Sequence, residues 1–201
     1  MQDCKPIIKI YEKLSRVSNL DDYKDENWCE EYSNDEYFLY VLCWAAWRLD
    51  RQMMVWQKVQ RAYSTIGKKL NTYGEVDIKK LKSVYPLQWQ QDWLQRLIKY
   101  LSERSLATDR FVLELRQMGY KKAHDLLQGI VETDQDKIVN CWLRDIVRLD
   151  AFPIDSRIRK LLKQYKIPDD PDLVMDCCVK NSIPIRDFAR AVYENAEKLS
   201  P

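Results

Sequence analysis

The stretch DAFPIDSRIRKLLKQY, residues 150–165, combines the features that decide how this part of the chain folds. Pro153 disfavours helical backbone at Phe152, so the residues leading to Asp155 are predicted to be extended. A helical pattern begins directly after Asp155, which places its carboxylate where it can cap the first turn. The new helix is basic, because residues 156–166 hold five basic residues and no acid. Asp155 can therefore be a helix cap, a chemically active group, or both.

Apolar residues recur with helical spacing on both sides of this stretch. Upstream, the predicted helix 137–149 has a buried stripe of Ile138, Val139, Trp142, Leu143, Ile146 and Val147. Similar patterns predict helices at 35–49, 86–101, 110–118, 120–130, 156–166, 171–180 and 185–198. The chain has only four glycines and seven prolines, and no strand-like alternation of useful length. The sequence thus predicts an all-α protein.

Composition favours a folded chain with uneven charge. The 201 residues are 46% hydrophobic and include seven Trp and twelve Tyr, enough for one domain or two closely packed subdomains. The net charge of +2 says little, but its distribution is informative. Residues 21–36 hold eight acids against one lysine, whereas residues 48–69 and 156–166 are rich in basic residues. Such basic patches are either solvated helix faces or a surface for a polyanion.

Several classes of protein receive little support. The start of the chain does not resemble a signal peptide, and no apolar run approaches the roughly 18 residues of a membrane span. The six cysteines, at positions 4, 29, 43, 141, 177 and 178, form no CxxC pair, and His124 is the only histidine. We therefore expect no metal and no cofactor, reduced thiols rather than disulfides, and an intracellular protein, cytoplasmic or in the nucleoid or nucleus.

Lys137 and Asp155 are predicted to lie close together. Thirteen helical residues at about 1.5 Å each carry the chain roughly 20 Å from Lys137. Six extended residues at roughly 3.3 Å each then return about the same distance to Asp155. A lysine at a positive helix terminus has its pKa lowered and becomes a usable nucleophile. A nearby carboxylate can stabilise an oxocarbenium-like sugar or help deprotonate the amine, a pairing that suits cleavage of an N-glycosidic bond in DNA.

Two segments resemble signatures of the helix-hairpin-helix DNA glycosylases. They are MGYKKAHDLLQGI, residues 118–130, and DAFPIDSRIRKLL, residues 150–162. That family also places a catalytic lysine about 18 residues before its aspartate, and Lys137 lies 18 residues before Asp155. The resemblance covers residues 111–165, and it extends to 35–110 and 166–198 only by helix count and pattern. It implies an all-α fold with two helical subdomains flanking a DNA-binding cleft.

The resemblance also implies an organisation and an activity. The expected segments are a loosely packed acidic segment 1–34, a helical subdomain 35–110, a hairpin-containing subdomain 111–165 and C-terminal helices 166–201. The expected protein is a monomeric DNA N-glycosylase with AP-lyase activity that removes an oxidised purine, 8-oxoguanine above all, from damaged double-stranded DNA. Lys137 is the expected nucleophile and Asp155 its assistant. The expected base-binding residues are Cys141, Trp142 and Phe188, and the expected DNA-binding residues are Lys121, Lys122, Arg157, Arg159, Lys160 and Lys163.

Two departures from the family pattern stand against this assignment. The family hairpin reads leucine-proline-glycine-x-glycine, whose backbone N–H groups hold a phosphate, often through a cation. Here the same place reads VETDQDK, with no glycine and with three acids, Glu132, Asp134 and Asp136. The family's serine-glutamine-glutamine-like start of an early helix is also replaced, around CWAAWRLD. The residues that would insert into the DNA duplex are therefore not assigned.

Each candidate also has a purely structural interpretation. Asp155 is a good helix cap in any protein, Lys137 can be a solvated lysine, and Cys141 can be a small core residue. The basic run 156–166 is a solvated face in most proteins. Two other functions remain open at this point: a catalytically inactive DNA-binding relative of the same fold, and a helical protein-interaction module.

Overall fold

The computed structural model describes residues 3–25, 57, 87–133 and 136–199, and within these ranges all regular structure is helical. This confirms the all-α class. The α-helices of these ranges are α1 (Lys5–Val17), α2 (Gln88–Glu103), α3 (Thr108–Met118), α4 (Tyr120–Val131), α5 (Asp136–Trp142), α6 (Ser156–Gln164), α7 (Pro171–Lys180) and α8 (Ile185–Asn195). The helix predicted at 35–49 lies outside the described residues. No described helix has the length and apolar character needed to cross a bilayer.

Backbone contacts divide the chain into two compact units. One consists of Met1–Glu30 together with Leu143–Pro201, and the other of Glu31–Trp142. In the second unit, α4 packs against α2, α3 and α5. Its described core is built from one face of each helix, and its most buried members are Leu94, Leu97, Leu101, Phe111, Leu115, Ala123 and Trp142. Burying such a face is what holds helices of this length together, because isolated helices are marginal in water.

The first unit is organised around α8. This helix packs against α1, α6, α7 and a short 3₁₀ helix, Leu20–Tyr23. Ile7, Ile10 and Leu14 form the buried face of α1, which begins at a helix-compatible Lys5-Pro6 step. α1 was not predicted, because it lies beside the acidic run 21–36, within the segment 1–34 that was expected to be loosely packed.

The segment between α5 and α6 changes its hydrogen-bonding pattern twice. Leu143–Val147 is a π-helical turn, and the N–H of Leu149 then donates to the carbonyl of Leu143 at 3.0 Å. Arg148 takes a positive φ of 62°, after which the backbone is non-helical up to Asp155. The predicted helix 137–149 is thus shortened, while its predicted buried stripe is confirmed residue by residue. The predicted extended approach to Asp155 is confirmed at the cap, where Asp155 has φ −91° and ψ −179°.

Two glycines give opposite predictions for substitution by alanine. Gly119 separates α3 from α4 with φ 76° and ψ 170°, a conformation that side chains with a Cβ avoid. Gly129 lies within α4, and a Cβ there would meet no atom within 4 Å. We expect Gly119→Ala to lower the free energy of unfolding by about 1–3 kcal/mol. Gly129→Ala should raise it by about 0.5–1 kcal/mol. Urea unfolding of both variants tests this, and a Gly119→Ala protein as stable as Gly129→Ala would contradict the geometry.

The expectation of reduced thiols is wrong for one pair of cysteines. Cys4 and Cys177 form a disulfide between the N-terminus of α1 and α7, with a Cα–Cα distance of 5.4 Å. The pairing was not predicted from the sequence, because the two cysteines are 173 residues apart and meet only when α1 packs against α7. Cys141 and Cys178 are buried and form no disulfide. Burial, with a smaller contribution from Asp150, raises the pKa of the Cys178 thiol to about 12, so it forms little thiolate to attack its neighbour's disulfide at neutral pH.

Reduction of this disulfide is expected to destabilise the protein strongly. A crosslink that closes a loop of this length restricts the unfolded chain, and its loss typically costs about 2–5 kcal/mol. Reductant should therefore lower the melting temperature of the wild-type protein. The Cys4→Ser variant should melt at the lower temperature with or without reductant. A wild-type melting temperature that does not respond to reductant, in a protein whose Cys4–Cys177 peptide is found by mass spectrometry, would contradict the expectation.

Candidate functional site

Asp155 is the N-cap of α6, and its carboxylate is well fixed. Oδ1 accepts hydrogen bonds from the backbone N–H groups of Arg157 at 3.0 Å and Ile158 at 2.8 Å. The residues before it, Ala151, Phe152 and Ile154, are buried, so the backbone that delivers Asp155 is anchored in the core. The side chain of Asp155 is only 12% exposed. Its charge is compatible with the positive end of a helix, where anions are stabilised.

Arg157 contacts the second oxygen of the same carboxylate. Its Nε lies 3.6 Å from Asp155 Oδ2, and its Cζ lies 4.4 Å from the centre of the Tyr193 ring. The guanidinium is therefore held between a carboxylate and an aromatic face, an arrangement that favours arginine over lysine. Tyr193 belongs to α8, which packs against α6. Asp155, Arg157 and Tyr193 form one contiguous group, which we call the Asp155 cluster.

The other basic residues of α6 differ in their surroundings. Arg159 is paired with Asp169 through its Nε. Lys160 and Lys163 are exposed, and no ion pair within the described part of the chain engages them. The apolar face of α6, formed by Ile158, Leu161 and Leu162, is buried, so these lysines project from the opposite side of a fixed helix. Among the predicted DNA-binding residues of α6, the two lysines are thus the ones that retain an uncompensated charge.

Lys137 lies in the first turn of the second helix of a short helical hairpin. The hairpin consists of α4 and α5, which pack against each other. Lys137 is half-buried. The predicted DNA-binding residues Lys121 and Lys122 are exposed in the first turn of α4, at the other end of that helix.

Two of the three hairpin acids have polar partners within the protein. Glu132 takes a left-handed conformation, φ 51°, at the end of α4, and its carboxylate lies 2.8 Å from Arg96 Nη2. The other terminal nitrogen of Arg96 donates to the carbonyl of Val131 at 2.7 Å, so Arg96 ties the end of α4 to α2. Asp136 accepts from Gln128 Nε2 at 2.5 Å, a bond that joins α5 to α4, and its Oδ1 lies 3.4 Å from His124 Nε2. Asp134 lies outside the described residues.

A buried hydrogen bond joins the start of α4 to the middle of α5. The hydroxyl of Tyr120 donates to Asn140 Oδ1 at 2.9 Å, and Asn140 is fully buried. The Tyr120 ring also lies against His124, with centroids 5.6 Å apart. Because Asn140 lies one helical turn after Lys137, this bond fixes the helix that carries the lysine.

The three predicted base-binding residues are all buried. Trp142 packs against Phe111 at a centroid distance of 6.1 Å, and Cys141 precedes it in the same core. Phe188 is 1% exposed and packs against Tyr11 and Phe152, with centroids 5.8 Å away in both cases. In this conformation each of them contributes to packing, and their contact with a base stays a prediction. Lys137 and Asp155 belong to different units, and their meeting likewise stays a prediction.

Two polar residues of these groups, Arg96 and Asn140, were not identified from the sequence. Asn140 carried the clearer signal, since an asparagine within the apolar run IVNCWL must find a partner when the helix is buried. Arg96 gave no such signal, because its partners lie far away in the chain. The sequence suggested Tyr193 only as a weak candidate for stacking on an extruded base, and its contact with Arg157 was not predicted.

Comparison with known proteins adds no relative to this description. No family model, no curated protein and no solved structure matches the chain. The geometry of the Asp155 cluster and of the hairpin is therefore the basis for any statement about function.

Proposed function

We propose that this protein is a DNA glycosylase with AP-lyase activity that excises an oxidised purine, 8-oxoguanine being the first candidate. One observation carries the proposal: the capping carboxylate of Asp155 is held at the start of a basic helix, 18 residues after a half-buried lysine in a helical hairpin. This is the order and spacing of the resemblance described above. The ion pair of Glu132 with Arg96 supports it further, because it offsets one of the negative charges that a DNA strand would meet at the hairpin.

In the proposed reaction, the target nucleotide is flipped out of the duplex, since its C1′ is inaccessible within the stack. The amine of Lys137 attacks C1′ and gives up a proton to Asp155 or to solvent, and the C1′–N bond breaks with its electron pair leaving on the base, which takes up a proton. The sugar ring then opens as O4′ leaves C1′, and a Schiff base forms between Lys137 and C1′. Loss of a C2′ proton expels the 3′ phosphate by β-elimination, and hydrolysis of the imine frees the lysine.

Asp155 assists this reaction without becoming covalently attached. Its carboxylate stabilises the positive charge that develops on the sugar as the C1′–N bond breaks, or accepts a proton from the attacking amine. Lys160 and Lys163, with the lysines of α4, attract the phosphate backbone. Their contribution is expected to be independent of base sequence, because phosphate contacts position a duplex and do not read it.

The proposal is tested by measuring base release from duplexes that each contain a single modified base. Wild-type protein should release 8-oxoguanine and cleave the strand, while unmodified guanine is left in place. Lys137→Gln should release no base and still bind the duplex with a strong dependence on salt concentration. Salt-sensitive binding without release of any damaged base would instead identify a non-catalytic DNA-binding protein. Absence of binding at low salt would leave the helical protein-interaction module.

A further inference from the structure

We propose that Tyr193 is a positioning residue that acts on Asp155 through Arg157. This inference rests on the proposed function, which assigns Asp155 a role in the chemical step. The two oxygens of the Asp155 carboxylate have different surroundings. Oδ1 is fixed by two backbone N–H groups of α6, whereas Oδ2 is contacted, among the described residues, by the side chain of Arg157 at 3.6 Å. The orientation of the reactive oxygen thus depends on where the guanidinium lies.

A partly exposed arginine side chain samples several rotamers unless a neighbouring group restrains it. The side chain of Arg157 is 36% exposed, and a long side chain at a surface loses considerable rotamer freedom when it is held. The Tyr193 ring supplies the restraint, since the guanidinium lies over its face at 4.4 Å. Tyr193 is itself anchored on α8, between the fully buried Val192 and the α8 end. The Tyr193 ring therefore determines the position of the Arg157 guanidinium. The guanidinium in turn determines the position of Asp155 Oδ2.

The same geometry predicts which substitutions are equivalent. Tyr193→Phe keeps the ring face and should keep Arg157 in place. Tyr193→Leu keeps an apolar side chain on α8 but offers no π face, so Arg157 is released. Arg157→Gln removes the guanidinium directly. If Tyr193 acts only through Arg157, then removing the ring from a protein that already lacks the guanidinium should change nothing further.

A double-mutant cycle on the rate of base release tests this. Tyr193→Leu and Arg157→Gln should each lower kcat roughly tenfold with a smaller change in KM, because misplacing a reacting group affects the chemical step. The double variant should be no slower than Arg157→Gln, and Tyr193→Phe should stay within about threefold of wild type. Multiplicative losses in the double variant, or an equal loss in Tyr193→Phe, would overturn the inference.

A second measurement separates this inference from the proposed function. In the ¹H–¹⁵N spectrum of arginine side chains, the Arg157 Nε–H should show a ring-current shift in the wild type and in Tyr193→Phe. The shift should vanish in Tyr193→Leu. If the wild type releases no base at all, the proposed function fails while this spectrum still reports the stack. If base release occurs but the chemical shift of the Arg157 Nε–H is unchanged in Tyr193→Leu, the positioning role fails and the proposed function stands.

Discussion

Replacing Asp155 with asparagine is expected to abolish base release while leaving the fold nearly unchanged. Asparagine is as good an N-cap as aspartate, so its side-chain oxygen can still accept from the N–H groups of Arg157 and Ile158. Without its negative charge it no longer stabilises a cationic sugar or accepts a proton, a loss of about 10²–10⁴-fold in rate. The free energy of unfolding should change by less than about 1 kcal/mol.

Asp170 provides a matched control for this experiment. It caps α7 in the same way, because its Oδ1 accepts from the N–H groups of Asp172 at 3.0 Å and Leu173 at 3.2 Å. Asp155→Ala and Asp170→Ala should each lower the free energy of unfolding by about 1 kcal/mol. Only Asp155→Ala should lose base release. Normal base release by Asp155→Asn would mean that Asp155 is a cap and nothing more.

The largest effect on stability is expected at Arg190. This residue is fully buried in the first unit, where its Nε donates to Asp145 Oδ1 at 3.1 Å. Its Nη1 donates to the carbonyl of Tyr23 at 2.9 Å and lies 2.8 Å from Asp25 Oδ1. Asp145 is buried as well, and it is also paired with Arg144 at 2.6 Å. Arg190 therefore connects α8 to the π-helical turn and to the 3₁₀ helix that follows α1.

Arg190→Met should lower the free energy of unfolding by about 3–5 kcal/mol, because it removes a buried charge from an ion-paired group. The Tyr23 carbonyl loses its Arg190 donor. Asp145 and Asp25 each lose one of two arginine contacts and keep those with Arg144 and Arg186. Arg159→Met is the matched control. It also removes an arginine from an ion pair, but the partner Asp169 is exposed, so the expected change is below about 1 kcal/mol. Urea unfolding measures both values. Similar small changes in the two variants would show that the buried group contributes little to stability.

The helices were predictable where local sequence determines structure. The period of the apolar residues fixed the positions of α2 to α8 to within a few residues, apart from the C-terminal end of α5, and Pro153 fixed the extended approach to Asp155. The cap itself followed from a single side chain and the helix that it precedes. Such features depend on residues within one or two helical turns of each other, so a single sequence contains the information.

Features that depend on distant pairs were not predictable. The disulfide between Cys4 and Cys177 requires the packing of α1 against α7. The contact of Arg157 with the Tyr193 ring requires the packing of α8 against α6. The burial of Arg190 was not predictable from the sequence, since arginine is rarely buried unless it is paired. The left-handed Glu132 was also unexpected, because its conformation is stabilised by Arg96, which lies 36 residues earlier in the chain.

In the proposed reaction, Lys137 forms a Schiff base with the sugar of a damaged nucleotide. Borohydride reduces such an imine to a stable amine, so wild-type protein incubated with a duplex containing 8-oxoguanine should become covalently attached to the DNA. Proteolysis and mass spectrometry should place the attachment on the peptide containing Lys137. Lys180→Gln, which removes an exposed lysine of α7, should be trapped as efficiently as the wild type. An adduct that persists in Lys137→Gln, or that maps to another lysine, would contradict the account.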